Sequence, residues 1–347
     1  MLYPLNVDPD DGTCTVATTR SQNETVYIRC SNLATAAGCN WLIPCVPGQT
    51  SPPLCTACRL NRTIPDLAIP ANNVRWMHIE TAKRRLISSL VRLGLPVASR
   101  LDEDPEHGLA FDFLGSSEGG NPVLTGHDEG IITLNIDEAE HLKREQIKES
   151  MHEPYRTVLG HLRHESGHYY WDRIVDGTSW LERFREVFGD DRRDYEQALK
   201  QHYEQGPLAG WQVTFVSAYA SSHPWEDWAE TWAHYLHMVD TLDTAFSFGL
   251  ATTEGQMPFD GFENDVLFVN EPDDMAPFLP LVNRWIQLTA VLNELSLSMG
   301  LADFYPFVLS RAVITKLHFI HMIIQERRNA NCSDLVGTQS SSGASRT

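Results

Sequence analysis

The stretch Gly160-His-Leu-Arg-His-Glu-Ser-Gly-His-Tyr-Tyr-Trp171 contains the pattern H-E-x-x-H, with its histidines at positions 164 and 168. Apolar residues recur around it at helical spacing, which predicts a helix over residues 155–174 with Pro154 at its start. On such a helix His164 and His168 lie one turn apart on the same face, so both imidazoles can bind one metal ion. Two imidazole ligands are typical of a Zn²⁺ site that leaves positions for a third protein ligand and a water.

Glu165 directly follows the first histidine of this pattern. A carboxylate in that position can accept a proton from a zinc-activated water and later pass it to a leaving amine. The alternative is a surface helix that carries two unrelated histidines. Leu159, Leu162 and two adjacent tyrosines favour a buried helix instead, where a histidine or glutamate without a partner is costly. A metal ion would supply that partner.

A third ligand is expected from the segment His223-Pro-Trp-Glu-Asp-Trp-Ala-Glu-Thr-Trp-Ala-His-Tyr-Leu-His237. Either Ser222 or His223, just before the proline, can start a helix there. Glu226 and Glu230 then face the same way, one turn apart. One carboxylate can bind the metal while the other accepts a hydrogen bond from the far nitrogen of a ligand histidine. The aromatic residues of this segment argue against the alternative of two solvated acids on an exposed face.

The cysteines are concentrated near the N-terminus: six of the seven precede residue 59. Cys55-Thr-Ala-Cys58 has the spacing of a zinc knuckle, which needs a second pair of cysteines to complete a tetrahedral site. Cys30 with Cys39, or Cys39 with Cys45, can supply that pair, and spacing does not distinguish between them. Four cysteine ligands leave no open position, so this zinc would be structural. The alternative is a set of free buried thiols.

The patterns predict an α+β protein that is mostly helical. Residues 1–66 are loop-rich and form a small domain, residues 67–330 form the main domain, and residues 331–347 form a disordered tail. The strongest strand is expected at residues 130–136 because it alternates and is rich in β-branched residues. Besides the two helices described above (the second over 224–242), helices are predicted at 74–95, 137–149, 179–188, 191–204, 280–299 and 306–328.

The chain of 347 residues has a formal net charge of −19. This charge argues against a nucleic-acid partner or an anionic membrane, which would need a basic surface. No apolar run is long enough to cross a membrane, and the first residues lack the pattern of a signal peptide. We therefore expect a cytoplasmic location. Oligomeric state is not encoded in any pattern that we recognise.

These motifs resemble the gluzincin zinc peptidases, in which H-E-x-x-H is followed by a glutamate on a second helix. The stretch from Cys30 to about residue 325 resembles, more specifically, a bacterial family of zinc-binding metallopeptidases with an N-terminal zinc ribbon. The runs that carry this resemblance are the two segments quoted above together with Cys39-Asn-Trp-Leu-Ile-Pro, Cys58-Arg-Leu-Asn-Arg-Thr-Ile-Pro-Asp-Leu, Gly130-Ile-Ile-Thr-Leu-Asn-Ile and Glu153-Pro-Tyr-Arg-Thr.

The resemblance implies a zincin-like metallopeptidase domain preceded by a zinc ribbon. It implies that His164, His168 and Glu226 bind a catalytic zinc, with the neighbouring Glu165 as general base. Glu230 would hydrogen-bond a ligand histidine. Tyr219 stands seven residues before the ligand glutamate, where some gluzincins place a tyrosine that stabilises the oxyanion; a packed aromatic side chain is the alternative.

The resemblance also favours one set of ligands for a second, structural zinc: Cys30, Cys39, Cys55 and Cys58. This choice leaves Cys14, Cys45 and Cys332 outside the site. Relatives in the family often carry a further pair of C-x-x-C knuckles before this region, and the present sequence does not contain that pair.

Two further features have open interpretations. In zincins an edge strand above the metal pairs with the extended substrate, and strand 130–136 is either that edge strand or an ordinary internal strand. As an edge strand it would place Asp128 and Glu129 beside the cleft, where they favour basic substrate side chains. Four histidines near the motifs are either structural or proton donors to the oxyanion: His161, His223, His234 and His237.

The leading hypothesis is a zinc-dependent hydrolase of a peptide or protein substrate. A second hypothesis is a DNA-associated protease that its zinc ribbon targets; Arg59 and Arg62 beside the knuckle favour it, and the acidic charge opposes it. A third is a non-catalytic binding module, stabilised by zinc, with a vestigial site. The intact set of candidate site residues argues against a vestigial site: His164, Glu165, His168 and Glu226.

Overall fold

The computed structural model describes residues 5–9, 13–16, 25–46, 48, 50, 52–115, 123, 125–141, 143–145, 156–250, 261–263 and 278–341. The chain forms two compact units. One comprises Met1–Ser88 and Val97–Met151, and the other comprises Ser89–Pro96 and His152–Thr347. The predicted boundary between residues 66 and 67 falls inside the first unit.

The described part of the first unit contains two small sheets. The N-terminal sheet is an antiparallel meander of β1 (Leu5–Val7), β2 (Cys14–Val16), β3 (Val26–Arg29) and β4 (Leu42–Pro44). The second sheet comprises β5 (Asn61–Thr63), β6 (Ala110–Leu114), β7 (Gly126–Asp128) and β8 (Ile131–Asn135), in the order β5-β6-β8-β7. Strands this short need other elements for stability.

The strand predicted at residues 130–136 is confirmed as β8. It pairs in parallel with β6, where Ala110 lies opposite Ile131, and antiparallel with β7. β8 is therefore an internal strand, with neighbours on both sides. Of the two interpretations, the ordinary internal strand is correct, because a strand paired on both sides has no free edge for an extended substrate.

Helix α1 (Pro70–Arg92) confirms the helix predicted at 74–95. Lys83 on this helix is fully buried, although a lysine side chain is almost never fully buried unless it is paired. Its Nζ lies 2.7 Å from Oε1 of Glu80, which is also fully buried, and donates a hydrogen bond to Asn61 of β5. The buried lysine is tolerated because it is paired and hydrogen-bonded.

The described part of the second unit is helical. Its helices are α2 (Val158–Ile174), α3 (Leu181–Phe188), α4 (Tyr195–Gln205), α5 (Pro224–Ser247), α6 (Phe278–Ser298) and α7 (Arg311–Ser341). With the small sheets of the first unit, these helices make the protein α+β, as expected. Within the described residues, no helix has the length and apolar character needed to cross a membrane.

Several helix ends differ from the sequence-based expectation. Helix α2 is capped by Thr157, whose hydroxyl accepts the N–H of Gly160, and Pro154 lies outside the described residues. Helix α7 continues past residue 331, where the sequence predicts a disordered tail, and residues 342–347 of that tail are not described. The predicted charged helix at 137–149 instead opens with a 3₁₀ turn, and residues 146–149 also lie outside the described part.

Helices α2 and α5 approach each other closely at Gly167. A Cβ atom at this position would lie 2.9 Å from Cα of Ala229 and 3.2 Å from the Cβ of Trp232. The contact is reinforced by two indole donors: Trp228 donates to the carbonyl of Gly167 at 2.8 Å, and Trp232 donates to Oγ of Ser166 at 3.1 Å. Both tryptophans are fully buried, so this contact belongs to the core of the unit.

We expect Gly167→Ala to destabilise the protein by about 1–3 kcal/mol, because the added methyl group overpacks the contact with α5. Alanine has the higher helix propensity, so the local backbone effect has the opposite sign. Urea unfolding of the full chain measures the change. Gly126→Ala is the matched control, since no atom lies within 4 Å of a Cβ there. Equal stability of the two variants would contradict this prediction.

Candidate metal centres

Four cysteines of the first unit meet in one buried cluster. The sulfur atoms of Cys30, Cys39, Cys55 and Cys58 all lie within 4.8 Å of one another. Sγ of Cys39 lies 3.7 Å from Sγ of Cys55, and two ligands of a tetrahedral zinc at Zn–S of about 2.3 Å would lie about 3.8 Å apart. The chemistry and spacing of these donors therefore fit a zinc ion. Cys45 is not a member of the cluster.

Hydrogen bonds favour a thiolate in this cluster. The backbone N–H of Cys55 donates to Sγ of Cys30 at 3.4 Å, and that of Cys58 donates to Sγ of Cys55 at 3.4 Å. Hydrogen bonds from Cys55 and Cys58 lower the pKa of the Cys39 thiol to about 4. The thiolate is the form that binds metals, so the environment of Cys39 matches that role, whereas the hydrogen bond with Cys39 raises the pKa of Cys55 above its ordinary value.

His164, His168 and Glu226 form the second cluster. The two Nε2 atoms are 3.2 Å apart, and Oε2 of Glu226 lies 3.0 Å from Nε2 of His164 and 3.5 Å from Nε2 of His168. A tetrahedral zinc with ligands at about 2.0 Å requires ligand atoms about 3.3 Å apart. The three atoms are thus spaced as three corners of one coordination tetrahedron, and the fourth corner is left for a small ligand.

The Glu226 carboxylate is only 1% exposed. Apart from its contacts with the two imidazoles, its Oε2 has no hydrogen-bond donor among the described residues. A buried carboxylate oxygen needs a positive partner. This oxygen, aimed at two ligand nitrogens, is the observation that most directly fits a cation.

The pKa values of His164 and Glu226 also indicate that a positive charge is favoured at this cluster. Burial alone would lower the pKa of His164, but hydrogen bonds to Glu226 and Glu230 outweigh burial and hold that pKa well above its ordinary value. Burial alone would raise the pKa of Glu226, but the charges and hydrogen bonds of His168 and His164 hold it well below its ordinary value. A proton and a metal ion would therefore compete for the same place.

Glu230 fixes the orientation of one imidazole. Its Oε1 lies 2.7 Å from Nδ1 of His164, while its Oε2 accepts a hydrogen bond of 2.6 Å from Ser217. Despite burial, these bonds and the charge of His164 lower the pKa of Glu230 to about 2. An anionic Glu230 on Nδ1 directs Nε2 of His164 toward Glu226. Ser217 is a contributor that spacing along the sequence did not predict.

Glu165 and Tyr219 are close enough for the charge of Glu165 to affect the pKa of Tyr219. Glu165 is buried on α2, and its charge contributes to a raised pKa at Tyr219. The ring of Tyr219 lies 5.9 Å from the ring of His164. Burial, followed by the charge of Glu226, raises the pKa of Tyr219 well above its ordinary value, so its hydroxyl remains a hydrogen-bond donor.

Tyr195, at the first position of α4, is a second residue that sequence analysis missed. Its hydroxyl donates a hydrogen bond of 2.5 Å to Oε1 of Glu226. The two residues are 31 positions apart in the sequence, and no motif links them. Only the packing of α4 against the start of α5 brings them together.

Three of the four histidines near the motifs make hydrogen bonds outside the cluster: His223 with the carbonyl of Arg193, His234 with the hydroxyl of Tyr305, and His237 with the guanidinium of Arg163. His223 also caps α5, because its Nδ1 accepts the backbone N–H of Trp225 at 3.1 Å. These contacts agree with the structural interpretation of the three histidines.

Comparison with known proteins agrees with both clusters. The family described as "putative zinc-binding metallo-peptidase" matches residues 72–323, and a zinc-ribbon domain matches residues 5–69. Uncharacterised proteins of Mycobacterium bovis and of two strains of Mycobacterium tuberculosis are each 45% identical over 298 residues, which cover 86% of this chain and 82% of the relative. No solved structure gives a significant match. The chain therefore belongs to this zinc-binding metallopeptidase family and has a zinc-ribbon domain on the N-terminal side of the peptidase region.

Proposed function

We propose that the protein is a zinc-dependent peptide hydrolase of the gluzincin type. In this proposal His164, His168 and Glu226 hold the catalytic zinc. The observation that carries it is the spacing of their three ligand atoms, 3.0–3.5 Å from one another, beside a buried glutamate that follows the first histidine. That combination matches a metal site that keeps one position open for chemistry.

The side chains around the site have complementary tasks. Zinc bound there would lower the pKa of a coordinated water and polarise the scissile carbonyl. Glu165 accepts the proton of the attacking water and returns it to the leaving amine. Tyr219 donates a hydrogen bond to the carbonyl oxygen as negative charge develops on it. Glu230, anchored by Ser217, keeps the His164 ring in place throughout.

The four cysteines would hold a second zinc with a structural task. The N-terminal sheet consists of strands of three or four residues, which bury little apolar surface. A closed tetrahedral site with Cys30, Cys39, Cys55 and Cys58 would cross-link segments that otherwise lack a core. Four sulfur ligands leave no position for a substrate, so this ion would take no part in catalysis.

The contacts of the two arginines beside the knuckle weaken the hypothesis of a DNA-associated protease. Arg59 forms an ion pair with Glu103 and donates to the carbonyl of Val97 at 3.0 Å. Arg62 forms an ion pair with Asp112. Both arginines beside the knuckle are thus engaged within the protein, and the chain as a whole is acidic. We propose a peptide or protein as the substrate.

Glu165→Gln should abolish peptide hydrolysis while zinc remains bound, because the amide cannot accept the proton but the ligand atoms are unchanged. Unbiased cleavage profiling on a peptide library, with wild-type protein beside the variant, measures this and defines the specificity. The matched control is Glu186→Gln on α3, which changes an exposed side chain. Wild-type cleavage by Glu165→Gln would exclude the mechanism, and a wild type that cleaves nothing would favour the binding module.

The purified wild-type protein should contain two zinc ions per chain, measured by elemental mass spectrometry. Cys55→Ser and His168→Ala should each lose one ion, because each removes a ligand from a different cluster. Cys45→Ser is the control, since this cysteine lies outside the cluster. Zinc loss in Cys45→Ser, or full zinc content in both other variants, would contradict the assignment.

Zinc affinity at the histidine site should rise with pH through the neutral range. The pKa of His164 is raised by its two glutamate partners, so below that pKa zinc must displace a proton, and above it no proton opposes binding. Titration calorimetry in two buffers of different ionisation enthalpy counts the protons released on zinc binding. The variant Glu226→Gln, which lacks a ligand of this site, gives the background signal from zinc binding elsewhere. Affinity that is constant or falls as pH rises would contradict the prediction.

A further inference from the structure

The Glu226 carboxylate is divided between two environments. Its Oε2 faces the imidazole nitrogens of His164 and His168, while its Oε1 accepts the hydroxyl of Tyr195 at 2.5 Å. The two oxygens of Glu226 therefore have different partners. A carboxylate can otherwise bind a metal through either oxygen or through both.

The hydroxyl of Tyr195 is held firmly in this position. Asp194 caps α4 by accepting the backbone N–H of Gln197 at 2.9 Å, which fixes the start of the helix. The Tyr195 ring meets the rings of His223 and Trp225 edge-on, at centroid distances of 5.3 and 5.5 Å. Both of these residues belong to the start of α5, directly beside Glu226. The donor and the acceptor are thus positioned by the same elements.

Trp225 extends this packing to a second ligand. Its ring lies 3.8 Å from the ring of His168, centroid to centroid. Tyr195 therefore contacts one ligand through a hydrogen bond and reaches another through a shared aromatic neighbour. Burial, followed by the negative charge of Glu226, raises the pKa of Tyr195 above its ordinary value, so the hydroxyl remains a donor.

We propose that Tyr195 is a positioning residue that occupies Oε1 of Glu226, so that this glutamate presents only Oε2 to the metal. The inference rests on the proposed function, because the bond has this consequence only where Glu226 is a zinc ligand. A single bound oxygen leaves a coordination position free for water or substrate, whereas binding through both oxygens would fill it. Tyr195 acts through Glu226, in contrast to the direct role proposed for Tyr219.

Tyr195→Phe tests this inference, because it removes the hydroxyl and keeps the ring that packs on α5. When zinc is released to a chromophoric chelator, one population of zinc ions should be present in the wild type and absent from Glu226→Gln. That population is the zinc of the histidine site. We expect zinc affinity of that population to fall about 10–100-fold in Tyr195→Phe. Tyr203→Phe is the matched control: it makes the same change on the same helix at a side chain that is 60% exposed, and its affinity should equal that of wild type.

Visible absorption of the Co²⁺-substituted proteins gives a second readout. The ligand-field bands of Co²⁺ lose intensity as the coordination number rises, so Tyr195→Phe should absorb more weakly than wild type and Tyr203→Phe should not. Wild-type affinity and an unchanged cobalt spectrum in Tyr195→Phe would overturn the inference and leave the proposed function intact. If wild type and Glu226→Gln release zinc identically, the proposed function fails and this inference fails with it.

Discussion

The close contact between α2 and α5 at Gly167 is the constraint on which the site depends. Residue 167 cannot carry a side chain without meeting the backbone of Ala229. His168 follows this glycine on one helix, and Glu226 lies one turn before Ala229 on the other. A separation larger by the width of a methyl group would therefore widen the 3.5 Å gap between Nε2 of His168 and Oε2 of Glu226. Gly167, the small residue of H-E-S-G-H, is thus as important as the histidines for the distance between His168 and Glu226.

Charge pairing in the second unit distinguishes Glu226 from two other buried acids, Asp227 and Asp240. Asp227 is buried beside Lys316, with 2.6 Å between Oδ2 and Nζ, and Asp240 accepts Nη2 of Arg163 at 2.6 Å. Each of these carboxylates has a permanent cation of the protein as its partner. Glu226, next to Asp227, has imidazoles and a phenol as its polar partners among the described residues. The protein thus neutralises Asp227 and Asp240 with its own cations, whereas Glu226 is left to be neutralised by a proton or by a metal.

The sequence predicts what depends on spacing within one helix, and it fails where distant segments meet. His164 and His168 are four residues apart and lie on the same face of any helix that contains them. Their proximity could therefore be predicted as soon as the helix was predicted. The choice between Cys30 and Cys45 as knuckle partner, in contrast, depends on how the loops fold, and spacing left it open. Tyr195 reaches the site through packing between helices, and no periodicity encodes such a contact. The burial of Lys83 has the same kind of cause, because it depends on Glu80 and on Asn61, which lies on a different element.

The two clusters differ in the number and kind of donors that they bring together, and this difference supports different tasks for them. The sulfur cluster supplies four donors of one kind, which complete a tetrahedron and exclude other ligands. The second cluster supplies three donors, and the other oxygen of the same carboxylate, Oε1 of Glu226, accepts a hydrogen bond from Tyr195. Where Glu226 binds zinc, this hydrogen bond would keep Oε1 from taking the remaining coordination position. A fourth protein ligand there would close the site to water and substrate, so the bond between Tyr195 and Glu226 argues for chemistry at this centre.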